Sequence, residues 1–122
     1  MRLHHVQVAC PRGGEDAARR FYAGLGMSEV AKPESLAGRG GCWFRLSEAE
    51  IHVGVEEPFA PARKAHPALV VDDLDGIGAR LTELGFEVDW TERHTFPGFE
   101  RLHTFDGNGN RVEILAAGTG RA

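Results

Sequence analysis

Near its C-terminal end the chain carries Arg111-Val112-Glu113-Ile114-Leu115, directly after the run Asp106-Gly107-Asn108-Gly109-Asn110. Glycine and asparagine favour turns, so residues 106–110 predict a tight turn and residues 111–115 predict the strand that follows it. In that strand Val112 and Ile114 share one face, and Glu113 lies on the other. Glutamate is uncommon inside strands and is rarely buried without a partner. Glu113 therefore either faces water or belongs to a site.

Length and composition describe a single soluble domain. The chain has 122 residues, of which 42% are apolar and 26% are charged, ordinary values for a globular protein with one core. A formal net charge of −4, with no run of basic residues, argues against a nucleic-acid partner. No apolar run approaches the roughly 18 residues that a membrane span needs, so we expect no membrane partner.

The N-terminus and the two cysteines bear on the location of the protein. Residues 1–5 lead directly into a strand-like pattern, without the apolar region of a signal peptide. Cys10 and Cys42 are far apart and have neither a zinc nor a redox spacing. We therefore expect a cytoplasmic protein with two free thiols.

The same order of elements is predicted twice along the chain. Alternating and helical apolar patterns predict, in order, strand 3–9, helix 15–24, strands 27–31, 42–46 and 50–55, strand 66–71, helix 74–84 and strands 86–90, 99–105 and 111–115. Each half has the order β-α-β-β-β. The sequence thus predicts one α+β domain over 1–122, with module one at 1–57, a linker at 58–65 and module two at 66–116.

Both helices are predicted to end in the same way, which supports an internal repeat. Leu25-Gly26-Met27 follows the first helix, and Leu84-Gly85-Phe86 follows the second. Glycine closes a helix there by adopting a left-handed backbone conformation. An internal duplication is itself a signal of fold.

Overlaying the two modules places four polar residues at matching positions. His5 of the first strand matches His66, and His52 of module one's last strand matches Glu113. In each of these strands the branched aliphatic residues occupy one face, so the four polar side chains share the opposite face. If that face curves into a cup, three imidazoles and a carboxylate converge inside it.

That set of donors suits a divalent transition metal. Imidazole binds zinc, nickel, iron or copper, and a carboxylate adds a hard, charged ligand. A single histidine on a strand is more often a surface residue or a hydrogen-bonded one. Four such residues on one face favour a metal site with His5, His52, His66 and Glu113 as ligands.

Four stretches of the chain resemble the vicinal oxygen chelate superfamily, which includes glyoxalase I, fosfomycin-resistance proteins, extradiol dioxygenases and bleomycin-resistance proteins. They follow the family's order and are spread over nearly the whole chain, at residues 3–8, 18–26, 66–75 and 105–113. The resemblance implies a single glyoxalase-like domain, in which two βαβββ modules form an eight-stranded open cup around a divalent metal ion.

The resemblance also implies roles for individual residues. Metal-binding members take ligands from the first strand of each module and from the last strand, and His5, His66 and Glu113 match those positions. Glyoxalase I takes a fourth ligand, a carboxylate, from the last strand of module one. This chain has His52 there, so an acid/base carboxylate of that enzyme is missing. Family members often combine ligands from two subunits in one cup, which implies a homodimer.

Other polar residues have two interpretations each. His94 and His103 are candidates for a catalytic acid or base, and are also ordinary residues of loops and edge strands. Three arginines could clamp an anionic substrate or simply cover a solvated face. These are Arg45, Arg93 and Arg101.

We expect a small metal-dependent enzyme that acts on a small oxygen-chelating substrate by lyase or isomerase chemistry of the glyoxalase type. The ion would be zinc, nickel, manganese or iron and would polarise a carbonyl, while Glu113 or a bound water moves a proton. The alternatives are a metal-free, bleomycin-resistance-like binding protein, a dioxygenase-like Fe(II) protein and a fosfomycin thiol transferase. The fold does not choose the substrate.

Overall fold

The computed structural model describes residues 1–118 as two four-stranded sheets and three helices. In chain order the elements are β1 (Val6–Cys10), α1 (Glu15–Gly24), β2 (Ser28–Val30), α2 (Glu34–Ala37), β3 (Cys42–Leu46), β4 (Ala49–Val55), β5 (Ala68–Val70), α3 (Leu74–Glu83), β6 (Val88–Asp89), β7 (Phe99–Phe105) and β8 (Arg111–Ala117). Among these described residues no helix has both the length and the apolar character to cross a membrane.

Each sheet is built from one half of the chain, and both have the same topology. The strand orders are β1-β4-β3-β2 and β5-β8-β7-β6. The pairs β1–β4 and β5–β8 are parallel, and the remaining pairs are antiparallel. The predicted α+β fold of two βαβββ modules is therefore confirmed.

Strand register decides which side chains enter the core. Phe44 lies opposite Ile51, and Leu102 lies opposite Ile114. All four are essentially inaccessible to solvent. They pack with the helices in one hydrophobic core that spans both modules. The largest fully buried side chains are Tyr22, Phe21, Phe44, Ile51, Leu81, Leu102, Ile114 and Val112.

The two long helices end alike, as the sequence predicts. Gly26 has a φ of +94° and Gly85 a φ of +93°, a backbone conformation that favours glycine. The amide after each glycine donates to the carbonyl five residues earlier, at 3.1 and 2.9 Å. At the start of α3, Asp73 accepts a hydrogen bond from the Gly76 amide at 2.9 Å, so Asp73 caps the helix.

Several boundaries differ from the sequence prediction by one to three residues. β1 begins at Val6 rather than at residue 3, and β5 begins at Ala68 rather than at residue 66. Strand pairing starts only where a partner lies alongside, and Pro67 has no amide hydrogen to donate. One turn of helix, α2, interrupts the loop predicted for 32–41 and follows Pro33. His5 and His66 therefore precede their strands.

The turn between β7 and β8 joins the two modules. Asn110 Nδ2 donates to the Ala9 carbonyl at 2.7 Å, and Asn110 Oδ1 accepts from the Ala62 amide at 3.0 Å. The Tyr22 hydroxyl donates to Asp106 Oδ2 at 2.9 Å. Burial raises the pKa of Tyr22, so its hydroxyl remains a donor at neutral pH. These bonds fix module two against β1, α1 and the linker.

Glu15 gives α1 a pH-dependent contact. Its Oε2 accepts a hydrogen bond from the Gly41 amide at 2.9 Å, and this bond holds the pKa of Glu15 below its ordinary value of 4.5. A carboxylate with a lowered folded-state pKa stabilises the fold above its ordinary pKa, and loses that effect as the pH falls through the folded pKa.

Glu15→Gln is expected to lower the free energy of unfolding by about 1 kcal/mol at pH 7, since the amide still accepts the bond but carries no charge. At pH 3 the two proteins should differ much less. Urea unfolding at both pH values measures the difference, with Asp16→Asn in the same exposed turn as the control. An equal difference at pH 7 and pH 3 would show that the Glu15 charge does not act through this bond.

Candidate functional site

Two clusters of polar and aromatic residues lie on the polar face, the side of the sheets that carries Trp43, His52, His103 and Glu113. Trp43 lies opposite His52 in the β3–β4 pair, and His103 lies opposite Glu113 in the β7–β8 pair. The modules thus place two side chains at equivalent points of equivalent strand pairs. Because paired strands hold their side chains in fixed positions, each cluster is anchored by the sheet.

The module-two cluster is built around the Glu113 carboxylate, which is only 4% exposed. Glu113 Oε1 lies 2.9 Å from Nε2 of His66 and 3.7 Å from Nε2 of His103. Glu113 Oε2 accepts a hydrogen bond from Nη1 of Arg101 at 3.3 Å. Potential ligand atoms of His66, His103 and Glu113 all lie within 4.8 Å of one another. Buried carboxylates require partners of this kind.

Protonation in this cluster suits metal binding. Burial by itself would raise the pKa of Glu113, but hydrogen bonds from His66 and Arg101 outweigh burial, and the pKa lies below its ordinary value. Burial lowers the pKa of His103, and the charge of Arg111 lowers it further. At neutral pH the cluster therefore holds an ionised carboxylate and a neutral imidazole, the forms that bind metal ions.

The module-one cluster is a stack of three rings. The rings of Trp43 and His52 are 3.7 Å apart at an interplanar angle of 2°, and those of His52 and His5 are 3.8 Å apart at 17°. His52 Nε2 lies 2.7 Å from Glu50 Oε2, and Arg45 Nε donates to Glu50 Oε1 at 3.1 Å. The imidazole of His52 is thus held on both faces and at one nitrogen.

One cavity is lined by a histidine of each cluster. His5 and His66 line the same cavity of about 340 Å³, which also reaches residues 48–51. Three larger cavities, of about 890, 560 and 490 Å³, are lined by no histidine. Cavity volume therefore does not locate the site. The smaller cavity is the candidate because histidines, which can bind metal ions, line it.

The four predicted ligands fall in two places within one chain. His66 and Glu113 are in contact, whereas His5 and His52 stack on each other. Over residues 1–118, the one group of three potential ligands within reach of a common ion is His66, His103 and Glu113. A site with all four predicted ligands therefore stays a prediction.

Two residues of the module-two cluster stand out only in the structure. From the sequence, His103 is a candidate acid or base and Arg101 a candidate anion clamp, and the structure places both beside Glu113. The turn predicted at 106–110 could have indicated the contact between His103 and Glu113, because residues at equal distances from a hairpin turn face each other on the two strands. The other candidate, His94, is exposed in the loop between β6 and β7.

Solved structures provide the comparison with known proteins. A glyoxalase family protein from Bacillus anthracis is 43% identical, with a TM-score of 0.89 over 97% of this chain and 96% of its own. The fosfomycin resistance protein FosX from Listeria monocytogenes is 16% identical, with a TM-score of 0.72 over 96% and 91% of the two chains. TnmS3, an antibiotic binding protein from Streptomyces sp. CB03234, is 23% identical, with a TM-score of 0.70 over 97% and 99%.

These similarities carry different weight. FosX and TnmS3 are too distant in sequence to show more than a shared fold. No family model matches the sequence, and no curated protein matches it. The Bacillus anthracis protein, in contrast, matches at high identity over nearly the full length of both chains. The chain therefore belongs to the glyoxalase family, within the vicinal oxygen chelate superfamily.

Proposed function

We propose that the protein is a metal-dependent enzyme of the vicinal oxygen chelate type, with a divalent transition metal bound by donors of both kinds of module. The proposed ligands are His66 and Glu113 of module two and His5 of module one. From the sequence, His52 is predicted as a fourth donor. One observation carries the proposal. An ionised carboxylate that is only 4% exposed lies 2.9 Å from the Nε2 of an imidazole at the matching family position.

The donor atoms fit such an ion. Two ligand atoms that each bind one ion at about 2.1 Å lie roughly 3.0 to 3.4 Å apart at angles of 90° to 109°. The 2.9 Å between His66 Nε2 and Glu113 Oε1 is close to that range. Imidazole with carboxylate is a set that zinc, nickel, manganese and iron all accept.

The residues of the proposed site have separate roles. When bound, the ion supplies Lewis acidity toward the oxygens of a small chelating substrate. Glu113 is the proposed proton-transfer group, because it is the ionised carboxylate of the cluster. One face of the Trp43 ring is covered by His52, and its other face would form a flat aromatic wall that shields the substrate from water. Lyase or isomerase chemistry of the glyoxalase type is the reaction class that these roles suit.

The separation of the predicted ligands supports a homodimer. His5 and His52 lie in one cluster of the chain and His66 and Glu113 in another. We propose that a second copy brings the two kinds of cluster together, with a small molecule as the bound partner. Sedimentation velocity tests this directly, and a homodimer should have twice the 13.3 kDa mass of one chain.

A metal-free binding protein is the second candidate function. The stacked rings of Trp43, His52 and His5 offer a flat surface on which a planar ligand could stack. One protein of this fold, TnmS3, is an antibiotic binding protein. Metal uptake separates this candidate from the proposed enzyme.

Protein prepared without a histidine tag and stripped with a chelator is expected to take up close to one divalent ion per site. Zinc, nickel, manganese and iron(II) are offered in turn, and bound metal is measured by elemental analysis after gel filtration. Uptake of less than about a tenth of an equivalent with every ion would contradict the proposed function and favour the metal-free candidate.

A further inference from the structure

We infer that His103, rather than His52, is the fourth protein ligand of the metal ion. Module two would then supply three donors by itself, namely His66, His103 and Glu113. The inference rests on the proposed metal site and deepens it. It gives His103 a role that neither the sequence pattern nor the positions matched to the family assign.

Distance favours His103. Its Nε2 lies 3.7 Å from Glu113 Oε1, and potential ligand atoms of His66, His103 and Glu113 are within 4.8 Å of one another. Ligand atoms of a common ion lie roughly 3.0 to 3.4 Å apart, so Nε2 of His103 would have to move roughly 0.3 Å closer to Glu113 Oε1. Because His103 and Glu113 face each other on paired strands, the backbone fixes their approach.

The hydrogen bonding of His103 also favours a ligand role. The side chain is 4% exposed, and its buried Nδ1 has no hydrogen-bond partner in residues 1–118. At 3.7 Å the contact from its Nε2 to Glu113 is too long for a hydrogen bond. Buried imidazoles normally bond through at least one ring nitrogen. A metal ion beside Glu113 would provide a partner for Nε2 of His103.

His52, by contrast, is fully occupied in its own cluster. Its Nε2 lies 2.7 Å from Glu50, and its two ring faces are covered by Trp43 and His5. These contacts suit a residue that positions its neighbour His5. They leave only Nδ1 of His52 for a ligand bond.

The number of ligands makes His103 and His52 alternatives, so that only one of them is expected to bind the ion. Two imidazoles and a carboxylate from module two, together with His5, occupy four positions of a six-coordinate ion. Two positions then remain for two oxygen atoms of one substrate. If both His52 and His103 were ligands, a single position would remain, and a substrate could not chelate the ion through two atoms.

Cobalt(II) provides the test, because each imidazole that binds it shows its own ring N–H proton as a strongly shifted NMR signal. Wild-type protein loaded with Co²⁺ is expected to show three such signals. His103→Leu should lose one signal, whereas His52→Leu should keep all three. Mutation of a residue that only orients a ligand costs roughly 10- to 100-fold in metal affinity, and loss of a ligand itself should cost more. His103→Leu should therefore weaken Co²⁺ binding by at least about 100-fold in calorimetry.

The control is the unfolding of the metal-free variants. Leucine at position 103 removes a buried nitrogen that lacks a partner, so His103→Leu should be at least as resistant to urea as the wild type without metal. Three shifted signals in His103→Leu, or the loss of one in His52→Leu, would overturn this inference alone. Failure of the wild type to bind Co²⁺ would instead contradict the proposed metal site.

Discussion

Glu113→Ala is expected to lower the affinity of the protein for zinc and cobalt by at least about 100-fold, since loss of even a residue outside the coordination sphere can cost that much. The substitution removes the only carboxylate in the group formed with His66 and His103 over residues 1–118. It also removes the negative charge that offsets the charge of the ion. Isothermal titration calorimetry on chelator-treated protein measures the change.

Two further variants make this result specific. Glu113→Gln keeps the shape of the side chain and one oxygen donor but loses the charge, so its affinity should lie between those of the wild type and Glu113→Ala. His94→Ala changes an exposed histidine outside the cluster and should bind zinc as the wild type does. Wild-type affinity in Glu113→Ala would mean that Glu113 is not a ligand.

Gly107→Ala is expected to lower the free energy of unfolding by about 3 kcal/mol, because the added carbon has no room. A Cβ at this position would lie 2.2 Å from the carbonyl oxygen of Ala17 and 2.6 Å from its carbonyl carbon. Both atoms belong to the backbone of α1, which cannot move aside as a flexible side chain could. Urea unfolding followed by circular dichroism gives the midpoint and slope from which the change is calculated.

The size of this effect reflects the position of the glycine. Gly107 lies in the turn that bonds module two to β1, α1 and the linker, so a shift there disturbs several contacts at once. Gly38→Ala is the matched control, because its φ of −77° is ordinary and nothing lies within 4 Å of the added carbon. It should change stability by less than about 0.5 kcal/mol. Equal unfolding midpoints for the two variants would show that the turn can relax around the added carbon.

Local sequence alone predicted the bounds of three elements correctly. α1 at 15–24, β3 at 42–46 and β7 at 99–105 lie at their predicted bounds. The period of apolar residues and the flanking glycines encode these limits without reference to distant residues. β1 and β5 are shorter than predicted, because their ends depend on how far β4 and β8 run alongside them.

The repeat and the two-residue period of strands also determined which side of the sheet carries the site. Glu113 lies between the buried residues Val112 and Ile114, and its side chain projects to the opposite face. The interpretation that Glu113 merely faces water is excluded, since the side chain is buried. The face on which Glu113 lies follows from a rule about neighbouring residues in one strand, whereas its burial is established only by the structure.

Which residues meet on that face was decided only by the tertiary structure. His66 reaches Glu113 across 47 positions of sequence, and His5 lies on His52 instead of joining them. These distances depend on parallel pairing, on where each strand begins and on how the two modules pack. The sequence neighbours of a residue contain none of that information. The sequence therefore indicated the face of the sheet and the types of donor. The pairing of strands placed His103 and Arg101 beside Glu113.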